Sequence, residues 1–424
     1  MAERSIDVWL DGHLAGRLDQ TAGRLAFTYD AAWLRRQDAI ALSVSLPLRA
    51  DSYDDRAARP FFAGLLPEQE TRDRVARALG VSAGNDFALL DGIGGECAGA
   101  ITFTHPGEAP VQQVAATDYR ALDEAQLADV LDRLPERPFL AGEKGLRLSL
   151  AGAQDKLPVF VDDGRIALPL HGAPSSHILK PAIRRIDGSV YNEAFCLALA
   201  RAVRLDAVDA TIGEASGRRY LLVPRYDRIT DPQNRLTRLH QEDFCQALGV
   251  APELKYESEG GPSLAACFAL LRKTAVPPAL NLPRLLDAAI FNVLVGNNDA
   301  HGKNFSIVYA AGGARLAPIY DVLCTAIYLD LSPRMAMKIG GYYVFDDVLP
   351  RHWDRFARDA GLSAPQARRR LLDLAERLPP AAAELRATFE KYEDGLQVID
   401  RIVAVIRSRC DVTRRRFAAE KTEG

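Results

Sequence analysis

The sequence predicts an α+β protein in two lobes, strand-rich toward the N-terminus and helical toward the C-terminus. Three observations carry this. The first hundred residues hold short alternating runs separated by turn pairs such as Asp11-Gly12. From Gln241 onward the apolar spacing becomes mainly helical. Toward the C-terminal end of the chain, the apolar segment Ala288-Ala289-Ile290-Phe291-Asn292-Val293-Leu294-Val295-Gly296 empties into Asn297-Asn298-Asp299-Ala300-His301-Gly302-Lys303-Asn304, then the short strand Ile307-Val308-Tyr309 and a second acid at Asp321.

In chain order, residues 1–105 read as a β-rich module. Ile6-Asp7-Val8-Trp9-Leu10 alternates, and residues 25–29 and 40–44 are further strands. Residues 60–79 read as one helix. Gly92-Ile93-Gly94-Gly95 lacks the G-x-G-x-x-G pattern and a following helix, so it is a tight turn rather than a phosphate cradle. Residues 106–145 form a linker with an amphipathic helix at 124–134. In residues 146–240, the strand 146–150, the small-residue turn Ala151-Gly152-Ala153-Gln154-Asp155-Lys156 and the return strand 157–161 can lay backbone N–H groups over phosphates, although a single Gly makes this weak alone. The strand His177-Ile178-Leu179-Lys180-Pro181 precedes a helix from Ser189, its N-cap, to about Val203, with Glu193 near its start. A strand Lys followed by a helix Glu is the kinase ion-pair arrangement. Taken alone, a surface Lys and a Glu favoured by the helix dipole are the better account of the pair. Residues 219–228 make a strand ending in Pro224-Arg225-Tyr226, where a two-lobed kinase would place its hinge. Residues 241–424 form the last domain, an all-helical C-terminal lobe with helices at 241–248, 263–274 and 283–295 and several after Pro350. The clusters Arg368-Arg369-Arg370 and Arg414-Arg415-Arg416 read as solvated helix faces.

The polar loop supplies the chemistry. Protein kinases place a catalytic Asp and a metal-binding Asn five residues apart, and Asp299 and Asn304 have that spacing. Phosphoryl transfer needs one carboxylate to take a hydroxyl proton, and an amide oxygen with a second carboxylate to hold Mg²⁺ against phosphates. Asp299 fits the first role, Asn304 and Asp321 the second. Asn297-Asn298-Asp299 by itself would read as a solvated turn.

Composition bounds the class. The net charge is −3, with 48% hydrophobic and 26% charged residues, giving no global pull toward nucleic acid. No apolar run approaches a membrane span, and the first residues carry no secretory h-region, so a cytoplasmic protein without membrane association is expected. Six scattered cysteines without Cys-x-x-Cys argue against a structural zinc site and against a disulfide framework. Of 53 basic residues only nine are Lys, and Lys156, Lys180 and Lys303 are among them.

Across nearly its whole length the chain resembles the HipA-type serine/threonine kinases, toxins of bacterial toxin–antitoxin pairs. The residues that carry the resemblance are Leu42-Ser43-Val44-Ser45-Leu46-Pro47-Leu48, Phe61-Phe62-Ala63-Gly64-Leu65-Leu66-Pro67, Ser149-Leu150-Ala151-Gly152-Ala153-Gln154-Asp155-Lys156, Pro224-Arg225-Tyr226-Asp227-Arg228, Gln241-Glu242-Asp243-Phe244-Cys245-Gln246, Asn298 through Ser306, and Pro318-Ile319-Tyr320-Asp321. The resemblance implies a protein-kinase-like fold that uses ATP and Mg²⁺. Asp299 would be the catalytic base, and Asn304 and Asp321 the metal ligands. Ala151 to Lys156 would form the phosphate loop, Lys180 would hold phosphates, and Pro224, Arg225 and Tyr226 would form the adenine-edge hinge. His301, Gly302, Lys303, Asn304, Tyr320 and Asp321 would complete the nucleotide contacts, and Ser149 would be the autophosphorylated serine. Pro224 lacks a backbone donor, so an adenine contact there needs its carbonyl or a neighbour. Val322-Leu323 follows Asp321, so the Phe-Gly switch of eukaryotic kinases is not expected. The resemblance further implies a HipB-like helix-turn-helix antitoxin, operator DNA bound through that complex, and an aminoacyl-tRNA synthetase, glutamyl-tRNA synthetase being the best-known case, as substrate. A small-molecule or lipid kinase, and a catalytically idle co-repressor, remain open alternatives.

Overall fold

The structure, a computed structural model, describes residues 4–111, 114–231 and 235–423. The chain forms two compact units. The first is Met1–Pro181 with Gly213–Glu253 and Val308–Ala311, and the second is Ala182–Ile212, Leu254–Ile307 and Gly312–Gly424.

The first unit holds two sheets. One is antiparallel, in the order Arg24–Tyr29, His13–Thr21, Arg4–Leu10, Ile101–Thr104. Its alternation buries Ile6, Val8 and Leu10 against Phe27, Phe61, Phe62 and Phe103. Asp11 and Gly12 both take positive φ, 49° and 75°, as the expected two-residue turn requires. The second sheet runs Tyr119–Ala121, Arg165–Pro169, Leu157–Asp162, His177–Pro181, Arg218–Pro224, Thr211–Ala215. The expected helix within 106–145 is present as Glu124–Arg133, with an Asp123–Gln126 capping box. Its Leu127, Val130 and Leu131 join the same core as Val8 and Phe27, so this segment is packed structure rather than a spacer.

In this unit four local expectations change. Residues 40–44 form no strand, because the Leu42 N–H is taken by the Tyr29 hydroxyl (2.8 Å) and the Val44 N–H by Glu242 (3.0 Å), which leaves no ladder. The helix expected over 60–79 is two, Asp55–Ala63 and Gln69–Leu79. Pro67 disfavours helix at the residue before it, and the Glu68 N–H goes instead to Gly152 O (3.1 Å). Residues 146–150 make only a parallel bridge, Leu148 opposite Glu96. Residues 241–248 divide into the strand His240–Asp243 and the short helix Phe244–Ala247.

The second unit is mainly helical: Ser189–Ala202, Leu264–Thr274 capped by Ser263, Pro278–Val295, Pro350–Asp359, Ala364–Thr388 and Leu396–Glu423. The C-terminal part is not purely helical, since Gly313–Leu316, Arg334–Ile339 and Tyr342–Val344 are strands. Ser189 is not the N-cap of its helix. Gly188 is, at φ 61°, and the Ser189 hydroxyl accepts the Ile183 N–H at 2.8 Å. Pro278–Val295 is long and apolar enough to cross a membrane by length and composition, but 61% of it is buried inside the protein. All six cysteines are buried and unpaired with one another.

Candidate active site

The predicted residues divide between the two units. In the second unit, the helix Pro278–Val295 ends at Gly296 in the left-handed conformation (φ 81°), which turns the chain into the polar loop. The loop then binds itself. Asn297 Nδ2 donates to Asn292 Oδ1 (2.7 Å), and the Asp299 N–H donates to Asn297 Oδ1 (3.1 Å). The His301 N–H donates to Asn304 Oδ1 (3.1 Å), and the Asn304 N–H donates to His301 O (3.0 Å). Two outside anchors fix its start: Thr325 Oγ1 accepts the Asn298 N–H (2.8 Å), and the Ala336 N–H donates to Asn298 O (2.7 Å).

The spacing argument meets its geometry here. Asn304 Nδ2 lies 3.0 Å from Asp321 Oδ2, joining residues 17 apart. Asp321 takes φ 56°, a strained value for a non-glycine residue that marks a constrained position. Asn192 holds the chain just beyond it, accepting the Cys324 N–H (2.7 Å) and donating to Cys324 O (3.2 Å). Tyr320 donates to Lys303 O (2.8 Å), which closes the loop against the same segment. Gly302 and Lys303 lie buried in the turn between His301 and Asn304. Asp299 itself is exposed, and Tyr256 donates a hydrogen bond to its Oδ1 at 2.8 Å. His301 is buried against the edge of Tyr256, with ring centroids 5.2 Å apart. Burial first, and then the Lys255 charge, push the His301 imidazole well below its ordinary value. Its Nδ1 finds no hydrogen-bond partner among the described residues. Among those residues no group of three or more His, Cys, Asp and Glu gathers as a metal site. Asn304 Oδ1, which takes the His301 N–H, and the Asp321 carboxylate are oxygen donors of the kind that suit a hard cation which also takes water and phosphate oxygens, while the Asn304 Nδ2 that faces Asp321 is a hydrogen-bond donor and not a ligand.

In the first unit, the turn from Ala151 to Lys156 is a closed loop. Lys156 Nζ donates to Ala151 O (2.7 Å), and Gly152 sits at φ 107°, a conformation that L side chains rarely adopt. The helix Gln69–Leu79 straps the loop down. Thr71 donates to Ala153 O (2.7 Å), and Arg74 pairs with Asp155 (2.8 Å). Gln154 lies between these two ties. Ser149 is fully buried, and its hydroxyl donates to Leu65 O at 2.9 Å. Lys180 is 6% exposed on its strand, opposite Leu221. Glu193 is buried on the helix Ser189–Ala202 of the second unit.

The hinge segment holds what the sequence did not reveal. The Arg225 guanidinium is buried in an ion cluster with Asp227 (2.8 Å) and Glu96 (3.2 Å), which Arg228 (2.7 Å) and Arg238 (2.6 Å) complete. Burial alone would raise the Glu96 carboxyl, but Arg228, Arg238 and Arg225 hold it well below the usual range. Arg225 is thus committed to the buried cluster, and Tyr226 beside it donates its hydroxyl to Gln241. Glu96 and Tyr256 were missed. Their only sequence signals were an acid inside Gly94-Gly95-Glu96-Cys97 and a Lys255-Tyr256 pair ahead of Gly260-Gly261.

Two units, one built on sheets and one mainly helical, with this loop in the helical one, define a two-lobed, protein-kinase-like α+β protein. The chain belongs to the HipA family. Residues 6–104 match the HipA N-terminal domain and residues 148–382 the HipA-like C-terminal domain. It is 48% identical over 94% of its length, and 96% of the relative's, to the protein Y4mE of Sinorhizobium fredii. It is 30% identical over 90% of its length, and 89% of the relative's, to the serine/threonine-protein kinase toxin HipA of Shewanella oneidensis. A solved structure of Shewanella oneidensis HipA with HipB and operator DNA superposes with a TM-score of 0.83 at 28% identity, covering 96% of each chain.

Proposed function

We propose that this chain is the toxin of a type II toxin–antitoxin module and an ATP- and Mg²⁺-dependent serine/threonine protein kinase of the cytoplasm. The observation that carries the reading is the 3.0 Å approach of Asn304 to Asp321, on a loop that also presents Asp299. Asp299 accepts the proton of the attacking hydroxyl. Asn304 and Asp321 would hold Mg²⁺, which would supply neutralisation of phosphate charge. The nucleotide contacts proposed in the second unit are His301, Gly302, Lys303, Asn304, Tyr320 and Asp321. Those proposed in the first are the turn from Ala151 to Lys156, Lys180 and the hinge from Pro224 to Tyr226. The division into a 1–105 module, a 106–145 connector, a 146–240 nucleotide lobe and a 241–424 catalytic lobe goes with this reading.

Ser149 is the proposed self-phosphorylation site. A phosphate brings close to two negative charges and cannot stay where the hydroxyl is now fully buried. Modification therefore expels the segment and, with it, the phosphate loop. Partnership with a HipB-like helix-turn-helix antitoxin and operator binding through that complex are supported by the partners named for the Shewanella protein, and an aminoacyl-tRNA synthetase target is proposed on the family resemblance alone.

The test is phosphoproteomics after induced expression, comparing wild type with Asp299→Ala. A synthetase phosphorylated only by wild type is the expected outcome. Identical phosphoproteomes overturn the kinase reading.

A further inference from the structure

The segment 252–261 carries chemistry that the proposed mechanism does not use. Lys255 is buried, and Tyr256 donates its hydroxyl to Asp299 Oδ1 at 2.8 Å across 43 residues of sequence. The Tyr256 ring stands edge-on to the His301 ring, so the same side chain touches both ends of the short stretch from Asp299 to His301.

The placement is built in. Gly260 takes φ 100°, and the Gly261 N–H returns to Tyr256 O at 2.8 Å. A Cβ on Gly261 would lie 2.3 Å from Leu254 O and 2.7 Å from Tyr256 O, so the turn closes at this tightness only with glycine there. Glu257 next holds the segment to the strand Arg334–Ile339, taking the Lys338 N–H at 2.8 Å and its ammonium at 3.1 Å. That strand also fixes the catalytic loop, through the Ala336 N–H on Asn298 O. One strand therefore sets both the loop and the residue that contacts it.

We propose that Tyr256 is a positioning residue for phosphoryl transfer, whose hydroxyl fixes the rotamer of Asp299 toward the incoming acceptor hydroxyl. This deepens the kinase reading and rests on it. An exposed carboxylate samples several rotamers, and a donor held 2.8 Å from one oxygen selects among them. The second oxygen then has a defined direction for the acceptor proton.

Full-length wild type, Tyr256→Phe, Asp299→Asn and the double variant are assayed with Mg·ATP for autophosphorylation and for transfer to a generic protein acceptor. Tyr256→Phe keeps the ring against His301 and removes only the hydroxyl. It should lose tenfold or more in kcat, with KM for ATP within twofold and an unchanged melting temperature. A hydroxyl that served only local stability would move the melting temperature, not kcat alone. The double variant should be no slower than Asp299→Asn, because a residue acting through Asp299 has nothing left to act on. A kcat within threefold of wild type overturns the proposal. So does a raised kcat, which would make Tyr256 a competitor of the acceptor, or an equal further loss in the Asp299→Asn background. If wild type transfers no phosphate, or Asp299→Asn keeps wild-type activity, the kinase reading or its base has failed instead, and the two failures are told apart.

Discussion

The loop from Asn297 to Asn304 and the turn from Ala151 to Lys156 are both short, polar and proposed to meet the nucleotide, yet they are held in different ways. The first combines bonds within itself with ties to Tyr256, Asp321, Thr325 and Ala336. Asn292, Asn297, His301 and Asn304 exchange hydrogen bonds with partners two to five residues away. The second depends on long ties, with Thr71 to Ala153 spanning 82 residues and Arg74 to Asp155 spanning 81. Local ties form whenever the local chain folds. Distant ties hold only while the whole first unit is assembled, and each can be cut from elsewhere. The difference suits the roles proposed for them, a rigid catalytic loop and a releasable phosphate loop.

Variants can break this comparison. The largest effect is expected from Asp299→Asn. The amide cannot take a proton, and loss of a general base costs roughly 10²–10⁴ in rate. The melting temperature should hold, because Asp299 is exposed. Activity within tenfold of wild type would remove Asp299 from the role. Asp321→Ala comes next, at roughly 10²–10³ in turnover, as removal of a group that stabilises transferring charge typically costs. Nucleotide titrations with and without Mg²⁺ check it, and an unchanged Mg²⁺ enhancement would place the metal elsewhere.

A third prediction concerns another set of long ties in the first unit. Glu242 is buried and accepts from Ser43, Val44 and Tyr309. Burial raises its carboxyl to about 7 from 4.5, against those three donors and with Asp243 nearby. Neighbouring His240 stacks on Tyr309, and burial lowers it to about 4 from 6.5. The signs oppose. Glu242 contributes stability that is complete below about 4.5 and lost as pH rises through about 7. His240 contributes stability that is complete above about 6.5 and lost as pH falls through about 4. Each amounts to on the order of 3 kcal/mol over its window, so the wild type should be nearly flat from these two groups. Glu242→Gln removes the falling leg, and stability should then climb visibly between pH 4.5 and 6.5. Denaturant unfolding at those two pH values measures it, and equal slopes in the two proteins would show the pair is not opposed.

The smallest effect is expected from Thr71→Ala. It deletes one strap on the phosphate loop, worth about 1 kcal/mol. Ser149 should then acquire phosphate about fivefold faster in peptide mapping after incubation with ATP, while the helix Gln69–Leu79 stays folded. An unaltered Ser149 rate would mean the strap does not govern release of the loop.

The same contrast decides what could be read ahead of the structure. The loop with Asp299 was legible because its proposed function rests on spacing. A helix end at Gly296, an Asp five residues before an Asn, and a short strand before Asp321 are all local facts. The turn 151–156 was legible as a turn, but its straps on Thr71 and Arg74 were not, and neither was the burial of Ser149. The 40–44 segment misled for a related reason. Its alternation is that of a strand, but its N–H groups are claimed by Tyr29 and Glu242, and Glu242 lies about 200 residues on.

The amino-acid order by itself determined the β-rich beginning, the mainly helical remainder, the amphipathic helix within residues 106–145 and the acid–amide–acid set of Asp299, Asn304 and Asp321. Each rests on interactions between near neighbours, which periodicity and spacing expose directly. Only the tertiary structure decided that Arg225 is spent on Glu96 and Asp227, that Ser149 is sealed under Leu65, and that Tyr256 reaches Asp299. Those contacts join residues from 2 to 129 positions apart, and most close only when distant elements pack. A buried charge finds its partner by desolvation and geometry in the folded chain, and no local pattern in the sequence records which partner that is.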